Sequence, residues 1–163
     1  MNRVLENLPA APAVAKHSGA RILVVDDEPL VRKFIETSLR GGGYEELISS
    51  NSGNAVPQIA VTERPALIIM DVMMPGGNGL RALRILRQNP HTERIPVILT
   101  SGFNVLTIGE CAQNQADHLL PKPFTPAQLL SVVERLLSSR RDGTRARAST
   151  ATQPVATRPA ATA

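Results

Sequence analysis

At 163 residues the chain holds one domain of ordinary size with length left for tails, which excludes two full domains. Hydrophobic residues make up 42% of it but aromatics only 2%, so a core must be built from Val, Ile and Leu, a composition suited to a parallel sheet covered by helices. The net charge of +4 belongs to the tail: from Ser138 onward Arg140, Arg141, Arg145, Arg147 and Arg158 face Asp142 alone, and residues 1–137 are neutral overall.

Residues 1–19 are rich in Ala and Pro without periodicity and are expected to be a disordered N-terminal extension. They contain no continuous apolar stretch of signal-peptide type, and no segment of the chain approaches membrane-spanning length. The single cysteine, Cys111, cannot form an intramolecular disulfide, and no Cys/His cluster has zinc spacing. A soluble, cytoplasmic protein is expected, with Cys111 as helix packing.

Ile22–Val25 reads as a short apolar strand that ends in Asp26-Asp27. Pro29 can occupy the first turn of a helix whose apolar positions Val31, Phe34, Ile35 and Leu39 follow the 3.6 period until Gly41-Gly42-Gly43 stops it. Leu47–Ser50 is a weaker second strand. Ser52 is a candidate N-cap for a helix through about Thr62, with Pro57 making its first turn irregular or its start later.

Ala66–Met70 is the third strand, ending in Asp71, and Gly79–Gln88 the third helix, with Leu80, Leu83 and Leu86 inward. The evenly spaced Arg81, Arg84 and Arg87 read as its solvated face. Pro96–Leu99 is the fourth strand, followed by a short helix carrying Val105, Leu106 and Ile108. His118–Leu120 is the fifth strand, and Thr125 caps a last helix with Leu129, Val132, Val133, Leu136 and Leu137 on one face. Residues 20–140 thus form the domain, and residues 141–163 a disordered basic Ala/Thr/Pro/Arg tail.

Strands alternating with helices imply an α/β fold: a doubly wound, five-stranded parallel sheet of flavodoxin-like order 2-1-3-4-5 with five helices. Ligands of such sheets bind beyond the carboxyl ends of the strands, where the winding reverses between strands one and three. Those two strands end in Asp26-Asp27 and Asp71, so three carboxylates are expected to meet at one edge, and crowded carboxylates call for a cation. Thr100 after strand four and Lys122 after strand five end at the same edge.

These residues carry a specific resemblance. The segments Val24-Val25-Asp26-Asp27-Glu28-Pro29, Met70-Asp71-Val72-Met73-Met74-Pro75 with Gly79-Leu80, Leu99-Thr100-Ser101 and Pro121-Lys122-Pro123-Phe124, in this order, resemble the receiver domain of two-component response regulators over roughly residues 20–138. The resemblance implies a stand-alone, chemotaxis-regulator-like switch rather than an enzyme. A sensor histidine kinase or histidine phosphotransfer protein would deliver a phosphoryl group to Asp71, and the changed surface would bind a downstream protein target not identifiable from sequence. It implies Mg²⁺ held by Asp27, Asp71 and the Met73 backbone carbonyl, with Asp26 acting through a water. Lys122 would pair with Asp71 and then with the phosphoryl oxygens, one of which Thr100 would also bind, and Lys122-Pro123 would be a cis peptide. A phosphorylation-dependent homodimer is compatible with the resemblance; no membrane partner is implied.

Five positions bear on departures from the family's pattern. Leu119 stands where many members carry Tyr or Phe, so the aromatic part of the relay to the surface around the last strand and helix is absent. Asn78 replaces a frequent acidic residue but remains a competent helix cap, and Ser101 replaces a frequent Ala. Met73 and Gly102, two positions beyond Asp71 and Thr100, offer no side chain to position water, which predicts a long-lived phosphoryl group. Two other readings weigh less. A hydrolase with an Asp nucleophile would want an Asp-x-Asp arrangement that Asp26-Asp27-Glu28 lacks, and nucleic-acid binding by the tail arginines would come without aromatics or a recognition fold.

Overall fold

The computed structural model describes residues 19–75, 78–102 and 115–150, with residues 141–150 given by their backbone alone. Strands β1 (Ile22–Val25), β2 (Leu47–Ser50), β3 (Leu67–Asp71), β4 (Val97–Ser101) and β5 (His118–Pro121) form one parallel sheet in the order β2-β1-β3-β4-β5. The described helices are α1 (Pro29–Gly41), α2 (Val56–Glu63), α3 (Gly79–Gln88) and α4 (Pro126–Thr150). These are four helices where the sequence predicts five; the one expected to carry Val105, Leu106 and Ile108 lies outside the described residues, as does Cys111. Among the described residues no helix is long and apolar enough to cross a membrane.

Every residue of β1, β3 and β4 is buried, which explains why these strands are continuous apolar runs rather than alternating ones. Successive side chains enter opposite layers. Leu23, Val25, Ile68, Met70, Val97 and Leu99 pack with Val56 and Ala60 of α2 and Ala82, Leu83 and Leu86 of α3. Ile22, Val24, Leu67, Ile69 and Ile98 pack on the other face with Ile35 and Leu39 of α1 and Leu129, Val132, Val133 and Leu137 of α4.

The punctuation of α1 is local chemistry. Pro29 opens it where a missing N–H costs nothing, and Gly43, at φ 85°, closes it. Gly43 N–H donates to the Arg40 carbonyl and Tyr44 N–H to the Leu39 carbonyl, both at 3.0 Å, which requires the left-handed residue between helix and exit. At α4, Thr125 caps as expected and Gln128 completes the exchange: Thr125 N–H donates to Gln128 Oε1 at 2.8 Å, and Gln128 N–H to Thr125 Oγ1 at 3.3 Å.

Four expectations change. Ser52 makes no side-chain cap; the chain forms a 3₁₀ turn over Gly53–Ala55, and α2 starts at Val56 because Pro57 fits only a first turn. Phe34 is not interior but 39% exposed, its ring centroid 5.9 Å from that of Phe124. Arg87 is not solvated: its guanidinium reaches the carbonyls of Gln115, Glu93 and Ile95 and, at 2.8 Å, the Asp117 carboxylate. Finally, α4 runs on to Thr150 past the boundary expected after Arg140, through Arg- and Ala-rich sequence with no proline before Pro154.

Candidate functional site

Sheet register assembles the site. Val25 pairs with Met70, so Asp26, the next residue after β1, lies beside Asp71, the last residue of β3. Thr100 pairs with Asp71 across the β3–β4 ladder, and Ser101 pairs with Pro121 across β4–β5. Lys122 N–H donates to the Ser101 carbonyl at 2.8 Å, which fixes the backbone from which its side chain starts. The Lys122-Pro123 peptide is cis.

Lys122 Nζ lies 2.8 Å from Asp26 Oδ2 and 3.1 Å from Asp71 Oδ1. Asp26 is fully buried and Asp71 nearly so, at 6% exposure. Burial pushes the Asp71 carboxyl above its ordinary value; Lys122 and the Met73 backbone N–H recover only part of this, and the Asp26 charge adds to the rise. Burial pulls the Lys122 amine down, but Asp26 and Asp71 outweigh it and hold the amine above its usual value. The asymmetry is physical: one ammonium serves two carboxylates, and the shorter bond goes to Asp26.

The Thr100 hydroxyl is buried without a hydrogen-bond partner among the described residues, directly across the ladder from Asp71. A buried unsatisfied hydroxyl costs about 1–3 kcal/mol, so its place at this edge calls for an occasional partner. Gly79, at the start of α3, packs against the Asp71 backbone so closely that a Cβ there would overlap the Asp71 carbonyl oxygen. Asn78 caps α3 by accepting the Leu80 N–H at 2.8 Å.

The structure brings together Asp26, Asp71, Thr100 and Lys122. The expected cluster of three carboxylates is narrower: Asp26 and Asp71 share Lys122, while Asp27 is half-buried, its carboxylate without a hydrogen-bond or ion-pair partner among the described residues. No group of three His, Cys, Asp or Glu side chains that could hold a metal is found among the described residues. The donors are nonetheless hard oxygens whose charge one ammonium does not balance, a chemistry that suits Mg²⁺. Met73 is 55% exposed, Leu119 is half-buried against the α2/α3 layer, and His118 lies at the opposite edge with Nδ1 3.1 Å from Arg135. Sequence reasoning missed Arg32, whose Nη1 donates to the Asp26 carbonyl at 2.7 Å; a cation early in a helix, here followed directly by Lys33, carries no signal of such a partner.

The family description "response regulator receiver domain" matches residues 22–134. The chain belongs to the response regulator receiver family. Among relatives of this receiver, the DNA-binding response regulator MtrA of Mycolicibacterium smegmatis is 33% identical over 124 residues, covering 75% of this chain and 52% of MtrA. Protein PilH of Pseudomonas aeruginosa is 34% identical over 120 residues, covering 73% of this chain and 98% of PilH. The receiver therefore spans about half the length of MtrA and nearly all of PilH. Among solved structures it resembles the receiver domain of the sensor histidine kinase PA1611 from P. aeruginosa, which has magnesium coordinated in its active site cleft. The TM-score is 0.67 at 28% identity, covering 74% of this chain and 99% of that one.

Proposed function

We propose that this receiver accepts a phosphoryl group on Asp71 from a phosphohistidine of a sensor histidine kinase or histidine phosphotransfer protein, and that the reaction depends on Mg²⁺. The observation that carries this reading is the Thr100 hydroxyl, buried without a partner among the described residues, across from a carboxylate that already has a cation beside it. That is an arrangement waiting for an anion.

Asp71 Oδ attacks phosphorus, the new O–P bond forms as the P–N bond to imidazole breaks, and the imidazole leaves with the bonding electron pair. The loose transition state asks for position and charge neutralisation rather than a strong base. Lys122 moves its charge from the carboxylates to the phosphoryl oxygens, and the Thr100 hydroxyl donates to one of them. Asp27, Asp71 and the Met73 carbonyl would hold Mg²⁺, with Asp26 reaching it through a water. Bound there, the ion neutralises phosphoryl charge.

The donor's approach is supported by an apolar groove lined by Leu30, Val31, Phe34, Pro123 and Phe124 that runs up to Lys122. Leu30 is 84% exposed at the helix turn next to the pocket, a surface that an apolar donor helix would cover. Similarity along nearly all of PilH supports a receiver that works by itself, as a phosphoacceptor switch with a changed surface as output. Leu119 lacks a ring, so that output does not run through an aromatic side chain in β5.

The test is incubation with phosphoramidate and Mg²⁺ followed by intact mass. The native protein should gain one phosphoryl group and Asp71→Ala none; a native protein that gains nothing overturns the reading.

A further inference from the structure

All polar atoms of Asp26 are engaged. Its N–H donates to the Ser50 carbonyl at 3.2 Å, its Oδ1 accepts the Glu28 N–H at 2.9 Å, its Oδ2 takes Lys122, and its carbonyl accepts Arg32 Nη1 at 2.7 Å. Ser50 belongs to β2, Glu28 to the turn itself, and Lys122 directly follows β5. The fourth is a long side chain from the first full turn of α1.

We propose that Arg32 is a positioning residue for Mg²⁺ binding: its guanidinium pins the Asp26 carbonyl and so holds the turn that presents the unpaired Asp27 carboxylate. This rests on the function proposed above. The turn between β1 and α1 consists of Asp26, Asp27 and Glu28, three adjacent acidic residues whose mutual repulsion favours spreading apart. Asp26 is fixed by these four bonds and Glu28 by its N–H on Asp26 Oδ1 and its carbonyl, which accepts the Arg32 N–H at 3.0 Å, whereas Asp27 inherits its place on one side from the peptide it shares with Asp26. That peptide's carbonyl is the atom Arg32 holds. A half-buried guanidinium at 2.7 Å from it is a charge-assisted bond, stronger and more directional than a neutral one.

The cation also acts in the opposite sense, because a positive charge near a metal site repels the metal. The two effects give opposite results when Arg32 is neutralised, which makes the assignment testable. If positioning dominates, losing Arg32 weakens Mg²⁺ binding; if repulsion dominates, binding tightens.

The experiment titrates Mg²⁺ calorimetrically into the native protein, Arg32→Met and Arg32→Lys, and follows phosphoramidate uptake against Mg²⁺ concentration. Arg32→Met should weaken the Mg²⁺ Kd by about tenfold, the scale of losing a residue that orients a metal ligand, with uptake at saturating Mg²⁺ changed far less than the Mg²⁺ dependence. Arg32→Lys, able to donate to the same carbonyl, should restore most of the affinity. An unchanged or tighter Kd in Arg32→Met overturns the proposal, as does equal loss of uptake at every Mg²⁺ concentration. Should Arg32→Met lack a cooperative melt, Arg32→Gln, too short to reproduce the bond, replaces it under the same expectations. A native protein that neither binds Mg²⁺ nor gains phosphoryl defeats the underlying function instead.

Discussion

Lys122 stands 3.1 Å from Asp71, and yet the Asp71 carboxyl is pushed above its ordinary value, because the ammonium is shared with Asp26 and burial outweighs what remains. The folded protein therefore holds a proton on Asp71 to higher pH than the unfolded chain does. Between the ordinary value of 3.8 and the raised one, the folded state binds more protons, so the Asp71 contribution to stability falls as pH rises through that window. Asp71→Asn, which is never charged, should be more stable than the native protein at pH 7, and the difference should vanish below 3.8. Urea unfolding of both proteins across pH checks this; a less stable Asn variant at neutral pH would contradict it.

Thr100→Val replaces a hydroxyl buried without a partner among the described residues by a methyl of the same shape. The unphosphorylated protein should gain about 1 kcal/mol, the lower end of the cost of an unsatisfied buried hydroxyl. The phosphorylated protein should lose stability relative to native, since the hydroxyl is then employed. Paired urea titrations with and without phosphoramidate separate the two states, and equal shifts in both would refute the assignment.

Gly79→Ala drives a Cβ into the Asp71 carbonyl oxygen, and the obstacle is backbone rather than the tip of a flexible side chain. Destabilisation of about 1–3 kcal/mol is expected, with slower phosphoryl uptake because the strained strand end is the one that carries Asp71. Normal stability and normal uptake together would show that α3 can retreat freely.

Arg87→Lys keeps the charge but loses the fork that spans Gln115, Glu93, Ile95 and Asp117. About 2 kcal/mol of stability should go with it, one to two charge-assisted bonds' worth. These partners precede β4 and β5, at the edge away from Asp71, so uptake by the folded variant should match native. Impaired uptake with intact folding would place Arg87 in communication with the site.

What could be seen in the sequence follows from what repeats. Fully buried strands are unbroken apolar runs, and Val24, Ile69 and Ile98 announce themselves as such. In a parallel sheet every strand exits at one edge, so the residues at or just past the strand ends, Asp26, Asp71, Thr100 and Lys122, are gathered at that edge before any side chain is placed. Long cations escape this logic. Arg32 and Arg87 bond mainly to backbone carbonyls, which every residue possesses, and a partner as distant as Gln115 leaves no spacing to read. Phe34 fails for a different reason: periodicity assigns a face but not its edge, and at the rim of α1 a ring can settle on Phe124 as readily as on the sheet.

Asp26 and Lys122 are 96 residues apart in the chain, and their contact joins the end of β1 to the end of β5 across β3 and β4. Pairings of such separation are costly in loop entropy and slow to form. A chain still emerging from synthesis, or one whose last strand has come loose, lacks the ammonium at its acidic edge. On the proposed reading of Asp71 as the acceptor, competence to be phosphorylated would arrive only once β5 has joined the sheet, so phosphoryl uptake would double as a test of the receiver's own integrity.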